Sequence, residues 1–220
     1  MTTIYLDLET IGTDDASVVS VKPPGNLKKA ESIAKWEAEE KPQAIQEALA
    51  KTAFDGTYGR IICAGIAIND GPPQSFVADT EHALISGLFH AIKEASTIDY
   101  HGGSTEQAVF VGHNIAGFDL PFLRKRSIIL GICPPSAMPL NAKPWDKAIF
   151  DTMIQWDGDR ERRISLDKLC KVLGIDSPKG EMDGSKVGDY FRAGRIAEIA
   201  AYCRADVAAV RQVHRRMIFA

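Results

Sequence analysis

Cysteine is scarce in this chain: Cys63, Cys133, Cys170 and Cys203 are the only four among 220 residues. No two of them stand at a spacing that suggests zinc or a disulfide framework, so reduced thiols in the core are expected. No apolar run is long enough to span a bilayer. The N-terminus lacks a basic segment followed by an apolar one, so neither membrane insertion nor secretion is indicated and a cytoplasmic location is expected. No internal repeat or low-complexity tract is present. An excess of positive charge is also missing, since the formal net charge is −3, and that argues weakly against a nucleic-acid ligand.

The chain does contain an ordinary globular balance, 45% hydrophobic and 25% charged, long enough for one sizeable domain spanning residues 1–220. Its charge is uneven. Residues 1–150 hold 13 basic and 18 acidic side chains, residues 151–220 hold 13 and 11. If several acids serve a metal ion, the surface left for phosphates is more basic than the sum implies. Local basic clusters lie at Arg124–Arg126, Arg160–Arg163 and Arg211–Arg216, each a solvated face or a phosphate contact.

The periodicity predicts strands at 3–9, 60–68, near 74–78, at 108–112 and around 148–152. Helices are expected at about 80–95, from Leu120 onward, at 165–173 and 195–217, with a short one near 185–191. Asn69-Asp70-Gly71-Pro72-Pro73 reads as a hairpin turn. Strands first and alternating elements afterwards predict an α/β fold, a mixed sheet with helices packed on it. Residues 13–56 read as a helical insertion after the first strand, a hairpin with one apolar stripe per helix and Asn26 as a helix cap. It either buttresses the sheet edge or forms a flap over substrate, the latter helped by Lys28, Lys29 and Lys35.

Within the first strand, Asp7 and Glu9 point to one face with Tyr5, while Ile4, Leu6 and Leu8 point to the other. Adjacent carboxylates at a strand end repel unless a cation sits between them, and oxygen ligands suit hard divalent ions. Asp119, in Asn114-Ile-Ala-Gly-Phe-Asp119, opens a helix and by itself could be an N-cap. Tyr202 and Asp206 share one face of the last helix. A carboxylate beside that helix's apolar stripe needs a partner.

Taken together, Asp-x-Glu, Asn-x-x-x-Phe-Asp and Tyr-x-x-x-Asp, in that order, resemble the three motifs of the DnaQ-like 3′–5′ exonucleases of the ribonuclease H-like superfamily. Ala201 stands where one branch has histidine, and Tyr202 matches the tyrosine branch of this four-acid group. The stretches Lys179–Val187 and Gly194–Cys203 look closest to stand-alone relatives of the family B DNA polymerase proofreading domain. The resemblance implies a five-stranded mixed sheet and a metal-dependent 3′–5′ exonuclease releasing nucleoside 5′-monophosphates from single-stranded DNA ends. It implies two divalent ions, Mg²⁺ or Mn²⁺, on Asp7, Glu9, Asp119 and Asp206, with Tyr202 orienting the attacking water. Thr10 and Asn114 would contact the terminal nucleotide. An exoribonuclease, or a non-catalytic nucleic-acid-binding module of the same fold, are the alternatives. His113 reads as a histidine satisfied by nearby backbone. Asp151 could support the site or cap a strand end, and Lys179, Lys186 and Arg195 could meet phosphates.

Overall fold

The computed structural model describes residues 2–96, 108–158, 163–177 and 182–220. Its centre is β1 (Thr3–Ile11), flanked by an antiparallel and a parallel neighbour. The helical hairpin follows as α1 (Ala30–Glu39) and α2 (Lys41–Lys51). Then come β2 (Arg60–Ile68), β3 (Gln74–Phe76), α3 (Glu81–Ala95) and β4 (Val109–Gly112). The remainder is α4 (Asp119–Leu130), β5 (Ile149–Asp151), α5 (Thr152–Asp157), α6 (Leu166–Leu173), α7 (Val187–Arg192) and α8 (Ile196–Met217). The five strands form one mixed sheet in the order β3-β2-β1-β4-β5, with β4 and β5 parallel to β1.

The alternation along β1 sorts the two layers. Ile4, Leu6 and Leu8 pack with Leu84, Leu88 and Ile92 of α3 and Leu120 and Leu123 of α4. Tyr5 lies on the other face with Val207 and Val210 of α8. Strand β2 is buried on both faces from Ile61 to Ala67, which explains its unbroken apolar run. Gly65 admits α8 to the sheet, because a β-carbon there would stand 2.8 Å from Cys203 Sγ. Asn69 closes the β2–β3 turn at φ 50°, accepting from Thr3 N–H at 2.8 Å. Asparagine is one of the few side chains that tolerate this left-handed conformation.

The hairpin is seated at the end of β1 that carries the acids. Thr13 N–H donates to Thr52 Oγ1 at 2.9 Å, and Thr10 Oγ1 donates to Ala53 O at 2.7 Å. Gly12 makes the approach possible, since a β-carbon would fall 2.3 Å from Leu49 O. Asn26 does not cap α1. It lies in a turn closed by Leu27 N–H to Pro24 O, and the helix begins four residues later, at Ala30, behind Lys29, which makes no side-chain cap bond.

Three of the four cysteines are buried, while Cys133 is exposed after α4. Among the described residues no helix is long and apolar enough to cross a membrane.

Candidate active site

Three elements bring the predicted acids together. Asp7 and Glu9 come from β1, whose ladder with β2 shifts register between Glu9 and Thr10 before resuming at Thr10–Ile61 and Ile11–Arg60. Bulges of this kind re-aim side chains at strand ends. Asp119 is the first residue of α4, and Tyr202 and Asp206 lie one turn apart on α8. Glu9, Asp119 and Asp206 are buried, and Asp7 is partly exposed. No ion pair joins Asp7, Glu9 or Asp119 to a basic side chain among the described residues.

This crowding shows in the protonation equilibria. Burial pushes Asp7 well above the usual carboxylate range, and the charges of Asp206, Glu9 and Asp119 push it further. Glu9 is raised by burial, then by Asp206, Cys63 and Asp119. Asp119 is raised by burial and by Asp151, against hydrogen bonds from its own N–H and that of Leu8. The Tyr202 phenol is raised far above its ordinary value by burial, then by Asp206, Glu9 and Asp7. It also hydrogen-bonds Asp206. At neutral pH it is therefore a donor and not a base.

These residues fit a hard divalent cation. Ligand atoms of Asp7, Glu9 and Cys203 lie within 4.8 Å of one another. The thiol is not a ligand in this arrangement: its contact with Cys63 and its burial keep it protonated, and it donates to Asp7 O and Oδ2, each at 3.6 Å. What remains is carboxylate oxygen, the donor set of Mg²⁺ and Mn²⁺ rather than of a thiolate-held metal.

Asp119 is not an N-cap, because Phe118 holds that position without a side-chain bond. The β4–α4 junction is organised by Asp151 instead. Its carboxylate accepts the N–H groups of Asn114 (2.9 Å) and Ala116 (3.1 Å), and also caps α5 through Met153 and Ile154. Asp151 thus both caps a helix and shapes the loop that delivers Asp119. Asn114 takes a left-handed φ of 64° in that loop. His113 is satisfied by Ile164 O (2.9 Å) and Thr152 Oγ1 (3.0 Å), and burial lowers its pKa. Thr10 stands beside Glu9 with its hydroxyl hydrogen given to the hairpin.

The sequence reading missed an aromatic step. Phe54, after α2, is 75% exposed and meets Phe118, whose ring tilts against Phe122. The partners are 64 positions apart, so no local pattern in the sequence links them. The basic clusters divide. Arg126 is bound by Glu81, Lys125 by Asp55, and Arg211 and Arg215 by the β2–β3 turn. Arg195 pairs with Glu198 and stacks on Tyr190. Lys186 also has a partner, whereas Arg160, Arg162 and Lys179 lie outside the described residues.

A family model described as a predicted 3′–5′ exonuclease related to the exonuclease domain of PolB matches residues 75–219. The match includes Asn114, Asp119, Tyr202 and Asp206, while Asp7 and Glu9 precede it. Among solved structures, the family B DNA polymerase of the hyperthermophilic archaeon Pyrobaculum calidifontis is similar with a TM-score of 0.60 and 17% identity. The similarity covers 99% of this chain but only 24% of the polymerase, so what is shared at that identity is the fold. No curated protein matches.

Proposed function

The chain belongs to the family of predicted 3′–5′ exonucleases related to the exonuclease domain of PolB, and from that premise we propose that it hydrolyses single-stranded DNA from the 3′ end. The observation that carries this reading is the gathering of Asp7, Glu9, Asp119 and Asp206 at one end of the sheet, where the charges of Asp206 and Asp119 raise the pKa values of both Asp7 and Glu9. Such a cluster is costly to fold unless cations neutralise it.

Asp7, Glu9, Asp119 and Asp206 would hold two divalent ions, Mg²⁺ or Mn²⁺. When bound, such ions ionise an attacking water and stabilise the departing 3′-oxygen of an in-line displacement. The protein's own groups do the rest. Tyr202 gives its one hydroxyl hydrogen to Asp206, which fixes the phenol, and its oxygen accepts from the attacking water and orients it. Asp119 enters from the first turn of α4, where the loop fixed by Asp151 sets its position. Phe54 and Phe118 form an exposed step against which the terminal base can stack. Thr10 and Asn114 flank the same end, and the product is a nucleoside 5′-monophosphate.

The test is digestion of a 5′-labelled single strand with Mg²⁺ or Mn²⁺, beside matched RNA and duplex. Stepwise shortening that stops with chelator and in Asp7→Ala supports the proposal. Equal digestion by wild type and Asp7→Ala would exclude it, and preference for RNA would redirect the substrate.

A further inference from the structure

A second surface bears on how a strand reaches the acids. Along α4, two cavities of about 540 and 430 Å³ share Arg124, Leu140 and Asn141, and so form one furrow between the helix and the connection to β5. The inner end is lined by Ala116 and Pro121, which flank Asp119 in the chain, and Ala116 is tied to Asp151. Arg124, Lys125 and Lys143 line the larger cavity with no acidic residue among its walls. Lys125 is paired with Asp55, whereas neither Arg124 nor Lys143 joins an ion pair among the described residues.

Trp145 stands at the rim, 79% exposed. It is presented by a closed turn, since Asp146 N–H donates to Lys143 O at 2.9 Å and Lys143 N–H to Asp146 Oδ2 at 2.7 Å. Pro144 beside it is buried. An indole held in solvent forfeits the large burial that usually places tryptophan. Between unpaired cations it has the makings of a stacking platform in an electrostatic groove.

We propose that this furrow binds the single strand upstream of the bond being cut, with phosphates on Arg124 and Lys143 and a base stacked on Trp145. The inference rests on the exonuclease reading for its direction, toward Asp119. A polyanion bearing flat bases suits two unpaired cations, a wall without carboxylates and one exposed aromatic better than a peptide does.

Binding in chelator separates the two readings, because no hydrolysis is required. A labelled thymidine dodecamer should quench the fluorescence of the full chain and bind Trp145→Ala about tenfold more weakly, with recovery in Trp145→Tyr. Arg124→Ala combined with Lys143→Ala should make the dependence of log affinity on log salt shallower by about 1.4. Heparin competing no better than its charge predicts supports a role for the bases. Affinity within twofold of wild type in the variant combining Trp145→Ala, Arg124→Ala and Lys143→Ala, no strand binding by the wild type, or equal quenching by heparin would each overturn the furrow. If the furrow variants weaken binding but the wild type cuts nothing in Mg²⁺ or Mn²⁺, the exonuclease reading fails and the strand site stands.

Discussion

Asp151 and Glu81, on one hand, and Asp7, Glu9 and Asp119, on the other, are carboxylates largely withdrawn from water, yet their surroundings differ in kind. Asp151 accepts four backbone N–H groups that lock a loop and start α5. Glu81 takes a forked pair of hydrogen bonds from Arg126 and a third from Ile61 N–H at 2.8 Å. The acids of the β1 end face mainly one another. Charges that are paired or hydrogen-bonded support a fold, whereas charges held together unpaired weaken it. The second arrangement makes sense where a cation completes it, and proteins accept such strain at functional sites.

The difference should be largest when one acid is removed from each group. Asp7→Ala should lower nuclease activity more than about a hundredfold without loss of thermal stability. Asp151→Ala should cost about 3 kcal/mol by stranding buried N–H groups, roughly 6–12 °C in Tm. Calorimetry beside the labelled-strand assay reads both. Comparable unfolding in the two variants would erase the distinction.

A smaller effect is expected from Glu81→Ala, which leaves the Arg126 guanidinium without its partner. The side chains of this pair are only 12% and 9% exposed, so a loss of about 2–3 kcal/mol is expected in denaturant melts. Smaller still, Tyr202→Phe should slow cleavage about tenfold while leaving Mn²⁺ binding in place. A loss of metal affinity in that variant would make the phenol a support for Asp206 instead of the water.

Much of the architecture was legible because the chemistry of each segment is local. The unbroken apolar run of β2 and the alternation of β1 gave boundaries close to those observed. Helix α5 was not read, because six residues carry little periodicity and its start depends on Asp151, which looked equally like a strand end. The acids of the site stood out in sequence because carboxylates near apolar stripes need a reason. Their company did not: Cys203 donates to Asp7 across 196 positions, and Phe54 meets Phe118 only once the hairpin is seated. Charge clusters misled for a related reason. Arg124, Lys125 and Arg126 are neighbours in the chain but have three different fates in space.

Thermal unfolding of wild type and Asp7→Asn, in chelator and in Mn²⁺ from about pH 5 to about pH 8, tests the central claim most directly. Asp7, Glu9 and Asp119 hold protons more tightly folded than unfolded. The metal-free folded state therefore binds more protons than the unfolded one, and this contribution to stability falls as pH rises past the unfolded carboxylate range near about 4. The difference between the two proteins removes the groups they share. In chelator, Asp7→Asn should melt above wild type by a margin that grows with pH, and Mn²⁺ should stabilise wild type much more than the variant. A variant that melts lower in chelator at every pH and gains as much from Mn²⁺ as wild type would contradict the account.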